Sequence, residues 1–137
     1  MAIFEDLGNV IRERFKVQIA DVHSLITQYD NQVLDTPSNV MWARLEIDDD
    51  ETEQVDFGSS SKRYRTKGIA VVKLFQPLGE GDKDIREMAD FILSEFRTVT
   101  DTGVVFVTPR KVTVGRRDDF WQVNVIIPFY YDVVEVP

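Results

Sequence analysis

The chain has 137 residues and carries 24 Asp and Glu against 16 Lys and Arg, a formal net charge of −8 at pH 7. One domain of this size buries roughly 68% of its unfolded surface, enough core to fold without staples. The absence of cysteine excludes disulfides and thiolate chemistry, and the acidity argues against a binder of nucleic-acid backbones, which needs clustered cations.

The N-terminus, Met1-Ala2-Ile3-Phe4-Glu5-Asp6-Leu7, is acidic where a signal peptide is basic, and no apolar run of about 20 residues follows it. An untargeted soluble protein is therefore expected. Asp6 to Lys16 predicts an amphipathic helix, with Phe4, Leu7, Ile11 and Phe15 at three- and four-residue steps. Val17 to Thr27 is ambiguous; Ser24 to Thr27 reads as a short strand and Gln32 to Leu34 as extended. Val40 to Asp48 alternates, placing Met41, Ala43, Leu45 and Ile47 on one face and Trp42, Arg44, Glu46 and Asp48 on the other.

Asp49 to Ser61 is polar and predicts a projecting loop. A strand over Ile69 to Phe75, beginning as early as Arg63, is apolar on both faces except at Lys73 and is expected centrally in the sheet. Gln76 to Gly81 breaks it. Asp82 or Asp84 then caps a second helix, and Ile85, Met88, Ala89, Ile92, Leu93 and Phe96 form one apolar stripe. Val104 to Val107 predicts a short strand. Lys111 to Val114 and Phe120 to Ile127 predict a hairpin joined by the loop Gly115 to Asp119. Pro128 is expected to kink or end that last strand, leaving Tyr130 to Val136 as a tail.

This order predicts a single domain over residues 1–137, of the α+β class. It is a two-layer domain with a mixed, mostly antiparallel sheet and two main helices packed on one face.

No residue set in the chain assembles a catalytic group. Asp48-Asp49-Asp50-Glu51-x-Glu53 offers carboxylates, but a calcium loop counted from Asp48 needs Gly at its sixth place and Glu at its twelfth, where Glu53 and Ser59 stand. His23 is the only histidine and has no nucleophile motif around it. Gly79-Glu80-Gly81 precedes a helix, yet Glu80, Asp82 and Asp84 repel phosphate. No metal, cofactor or catalytic residue is expected.

Lys62-Arg63-x-Arg65-x-Lys67 is the sole basic cluster near a tyrosine, with its charges expected largely on two strand faces. It is opposite in sign to the acidic stretch Asp48, Asp49, Asp50, Glu51, Glu53 and Asp56, which on a neighbouring copy would complement it. Two unlike patches on one chain suit a heterologous contact between copies. Phe57 within the polar insert, and Trp42 on a polar strand face, are the aromatic candidates for an interface.

Several pieces occur together in order along most of the chain: Tyr29-Asp30-Asn31 before Pro37, Gly58 in the insert, and Arg63-Tyr64-Arg65-x-x-Gly68. Then come Phe75-Gln76-Pro77-Leu78-Gly79-Glu80-Gly81, Ala89-Asp90, Gly103-Val104, and Phe120-Trp121-Gln122-Val123 through Ile127-Pro128-Phe129. In this pattern the chain resembles the tail-terminator (tail-completion) proteins of long-tailed bacteriophages. The resemblance implies a ring, usually of six copies, that caps the head-proximal end of the tail tube, halts its polymerisation and presents the surface on which the head docks. Partners are then the tail-tube protein and the head–tail connector. The net charge adds the expectation that genomic DNA passes through an acidic lumen without being bound. The location is the virion, after assembly in the host cytoplasm. Other neck or tube components, and a monomeric adaptor domain, remain the rivals.

Overall fold

Leu7, Ile11 and Phe15 recur at four-residue steps and wind the N-terminus into helix α1 (Ile3–Phe15), with all three buried. The computed structural model describes residues 3–32, 35, 37, 39–56 and 62–135. After α1 the helix widens to π geometry over Lys16–Ala20, buries Ile19 and Ala20, and closes with the single turn α2 (Asp21–His23). Ser24, in the left-handed region at φ 52°, stops it. Strand β1 (Ile26–Gln28) then pairs parallel with the start of β2 (Trp42–Asp56).

β2 and β3 (Lys62–Pro77) form an antiparallel pair running from Trp42↔Phe75 to Asp56↔Arg63, with register shifts at Asp48/Glu51 and Gln54/Asp56. The polar segment 49–56 is therefore strand and not loop, which corrects the sequence expectation. The reason lies in its partner: Thr66, Arg65 and Lys67 give Thr52 and Glu53 cross-strand mates, and the bulge at Asp48/Glu51 absorbs the break in alternation. Phe57 and Gly58 fall outside the described residues, as do Val33 and Leu34.

β3 is central, as expected, with β2 on one side and β7 (Phe120–Glu135) on the other. Helix α3 (Lys83–Phe96) follows it and buries the predicted stripe at Ile85, Met88, Ala89, Ile92 and Phe96. Its cap differs from expectation: Asp82 stands at the N-cap without a side-chain cap bond, and Gln76 Oε1, itself buried, accepts the Ile85 N–H at 3.1 Å. The Asp82 carboxylate turns instead to Arg86 at 2.6 Å, which holds its pKa below the ordinary value.

β4 (Thr100–Asp101), β5 (Val104–Phe106) and β6 (Arg110–Arg117) complete the mixed sheet, ordered β1-β2-β3-β7-β5-β4 with β6 also on β7. β6 and β7 meet across the two-residue turn Asp118-Asp119, shorter than the five-residue loop predicted. Gly115 is not in the loop but inside β6, at φ 92°, beside a register shift.

β7 continues through Pro128 to Glu135, where sequence reasoning had the proline kink or end it. Within a strand, a residue's N–H and C=O point to the same side. The Pro128 carbonyl accepts Val107 N–H at 2.9 Å, so the missing Pro128 N–H also points to the side of β5 and β6. There it faces the connection between those two strands, because β6 stops opposite Ile126 and β5 begins opposite Phe129. No ladder bond is lost.

The buried residues of α1 and α3 join alternate residues of the sheet in one cluster: Ala43 and Leu45, Ala70, Val72 and Leu74, and Val123, Val125, Ile127 and Phe129. The opposite face carries a smaller aromatic group. Trp42, expected on a polar face, is 3% exposed, stacks on Phe75 (centroids 4.3 Å) and meets Phe120 edge-on at 6.0 Å. Arg44 covers it, its guanidinium 5.6 Å from the Trp42 ring while Nε donates to Gln28 Oε1 at 2.9 Å.

Candidate assembly surface

Beyond Arg44 the strands β2, β3 and β7 continue together as a three-stranded arm, from Asp48↔Ile69↔Pro128 to Asp56↔Arg63↔Val134. Gly68 makes this continuation possible. A Cβ there would strike the Asp48 carbonyl and lie 2.8 Å from the Phe129 ring, so only glycine lets β2 and Phe129 close over β3. Thr52 and Thr66 bridge hydroxyl to hydroxyl at 2.9 Å within the arm.

On the other face of the arm the charges pair within the chain. Arg65 bonds Asp132 through two nitrogens, at 2.8 and 3.0 Å, and its guanidinium lies 4.1 Å from the Tyr130 ring centroid. That hydrogen-bonded pairing holds the Asp132 carboxyl below its ordinary pKa and raises Arg65. Lys67 reaches Glu53 at 2.7 Å, and on the same face just before the arm begins Lys73 reaches Glu46 at 3.0 Å. Register puts Arg63, Arg65 and Lys67 on one face rather than two, since they stand at alternate positions of β3.

The structure thus brings the predicted residues together as cross-strand neighbours. Glu53 stands opposite Arg65, Glu51 opposite Lys67 and Asp56 opposite Arg63, while Lys62 pairs with Glu135 of β7. Asp48, Asp49 and Asp50 lie at the bulge where the arm begins. Phe57 lies outside the described residues.

The outer edge of β2 is the site's open element. β1 pairs with it at Trp42–Arg44, and the Asp30 carboxylate accepts the Ile47 N–H at 2.9 Å. The Tyr29-Asp30-Asn31 piece supplies that carboxylate, with Asn31 in the left-handed region at φ 57°. From Asp48 to Asp56 no described strand pairs with this edge.

A second open edge was not anticipated. β6, Arg110-Lys111-Val112-Thr113-Val114-Gly115-Arg116-Arg117, pairs with β7 alone among the described strands. Arg110, Lys111, Arg116 and Arg117 make no ion pair among the described residues. The signal was legible as four cations in eight residues without an acid.

Elsewhere, a groove of about 620 Å³ beside α1 is lined by Val10, Arg14, Tyr29 and Asp101 among others. Arg14 ties its walls together, donating to the Glu95 carbonyl near the end of α3 at 2.5 Å and to Asp101 at 3.3 Å. Burial pushes the Tyr29 phenol pKa up, and Asp21 and Glu13 add to it. No three His, Asp or Glu residues among the described ones are grouped to hold a metal ion. No described helix is long and apolar enough to cross a membrane.

Comparison with known proteins gives no family model and no curated protein that matches. Seven solved chains do match. One of them, whose name states no activity or partner, aligns with 94% of this chain and 96% of its own at a TM-score of 0.54 and 18% identity. At that identity the likeness speaks for the fold, which spans both chains nearly end to end.

Proposed function

We propose that this chain is a structural virion protein that closes into a ring, of six copies as the resemblance implies, on the head-proximal end of a phage tail tube. The ring stops tube growth and presents the docking surface for the head–tail connector. In this reading the domain is two-layered, with α1 and α3 on one face of the sheet and the other face left for contacts between subunits or toward the lumen.

The observation that supports it best is the open edge of β2 on the arm. On the side away from β3, residues Asp48–Asp56 have no described strand beside them, and a sheet edge of that length is a template for another chain. Three residues of the ordered motifs add to it, since each has a structural task. Asp30 holds β2, Gly68 admits Phe129, and Gln76 caps α3. The net charge of −8 per copy suits a lumen through which DNA slides without adhering, an effect screened beyond about 8–10 Å at physiological salt.

Electron microscopy and native mass spectrometry of the purified protein, alone and with tail-tube subunits, test the reading. Rings that bind one end of a tube and arrest its elongation are expected. Long tubes of this chain alone make it a tube subunit. A folded monomer with no affinity for tube or head ends removes the proposal.

A further inference from the structure

We propose that neighbouring copies join by strand pairing between the outer edge of β2 in one and β6 in the next. This rests on the ring reading above and names its interface. Both edges are open among the described strands, and they are opposite in charge. Residues 48–56 of β2 hold Asp48, Asp49, Asp50, Glu51, Glu53 and Asp56 with no cation, while β6 holds Arg110, Lys111, Arg116 and Arg117 with no acid.

Charge sets which edges meet. Two β2 edges, or two β6 edges, would place like charges across a ladder, which is destabilising. A two-fold dimer through either edge is thereby disfavoured. An acidic edge meeting a basic one is a head-to-tail contact, and such contacts close into rings when the rotation per subunit permits. The basic side of the contact is β6 because its four cations have no ion pair among the described residues, whereas Arg65 and Lys67 are engaged by Asp132 and Glu53.

Direction agrees. β2 is antiparallel to β3, β3 to β7, and β7 to β6, so β2 and β6 run in opposite directions. Copies related by rotation about an axis along the sheet then present β6 and the next β2 as an antiparallel pair. The open part of β2 lies on the arm, and β6 lies at the other end of β7. The pair therefore aligns when the strands tilt against the ring axis, as strands of closed barrels do.

Charge exchange tests this. One variant reverses β6 (Arg110→Glu, Arg116→Glu, Arg117→Glu) and another reverses β2 (Asp48→Lys, Asp49→Lys, Asp50→Lys, Glu51→Lys), which leaves only Glu53 and Asp56 as acids against four lysines on that edge. Each alone is expected to weaken self-association roughly tenfold or more in analytical ultracentrifugation. An equal mixture restores rings, because each variant then offers the other a complementary edge at both junctions. A chain with all seven substitutions restores them as well. Should either variant fail to fold, carbodiimide coupling of wild-type rings built from isotopically light and heavy chains serves instead, with links expected between Lys111 of one copy and the carboxylates of 48–56 of another. Rings that survive both reversals, or that give no such links, overturn the β2–β6 contact and leave the ring reading standing. Reversed variants that melt as wild type but stay apart when mixed also overturn it. A wild-type chain that never forms rings removes the ring reading itself.

Discussion

Arg65 and Asp132 lock β3 to β7 on the arm through two parallel hydrogen bonds, of 2.8 and 3.0 Å, with the Tyr130 ring under the guanidinium. The pair matters because it lies beyond the buried cluster of the helices, where burial alone holds the strands together less. Its carboxylate, like that of Asp82, has a pKa lowered by an arginine partner, which makes the contact sensitive to acid.

Asp132→Asn is expected to cost about 1 kcal/mol at neutral pH, the upper range for a partly exposed ion pair after screening. The pKa of Asp132 is lowered from its ordinary value of 3.8 when the chain folds. A depressed carboxylate stabilises the folded state above the unfolded value and loses that contribution as pH falls through the folded one. Urea melts of the wild type and the variant should therefore differ above pH 3.8 and converge below it. A gap that persists in strong acid refutes the assignment.

Gly68→Ala should destabilise the fold by about 1–3 kcal/mol, the usual cost of overpacking. The Cβ would meet both the Asp48 carbonyl and the Phe129 ring. Shortening Phe129 relieves only the second clash, so Phe129→Leu is not expected to rescue Gly68→Ala in thermal denaturation. Full rescue would show that the ring alone sets the requirement.

Gln76→Ala removes the acceptor of the Ile85 N–H from a buried position and should cost about 1–2 kcal/mol. Amide exchange at Ile85 is expected to quicken relative to the middle of α3. Glutamate at position 76 keeps an acceptor there and should recover part of the loss; protection unchanged in Gln76→Ala would exclude the cap.

How far the chain reads by itself differs from element to element. The body of α3 was legible, though not its cap, because its stripe at Ile85, Met88, Ala89, Ile92 and Phe96 is a local pattern that any core would bury. β3 was legible as central for a similar reason. The polar half of β2 was not. Nothing local distinguishes Asp49–Asp56 from a loop, and its strand conformation depends on partners in β3 and a bulge that resets the alternation.

Of the candidate surface, the acidic side was named from sequence and its nearest cations were assigned to a neighbour. The fold places those cations beside the acids of the same chain, at Lys67–Glu53, and gives Arg65 to a residue 67 positions away. The basic run of β6 was in plain view yet unweighted, because which strands lie at a sheet's edge is a property of topology.

Composition and periodicity alone determined the class of the fold, its two principal helices and the lack of a cysteine framework, since each follows from residue type or from repeats within a few turns. Tertiary structure decided the length of the arm, the passage of β7 through Pro128 and the identity of the two open edges. Those depend on backbone hydrogen bonds between segments far apart in the chain, and such bonds leave no trace in local pattern.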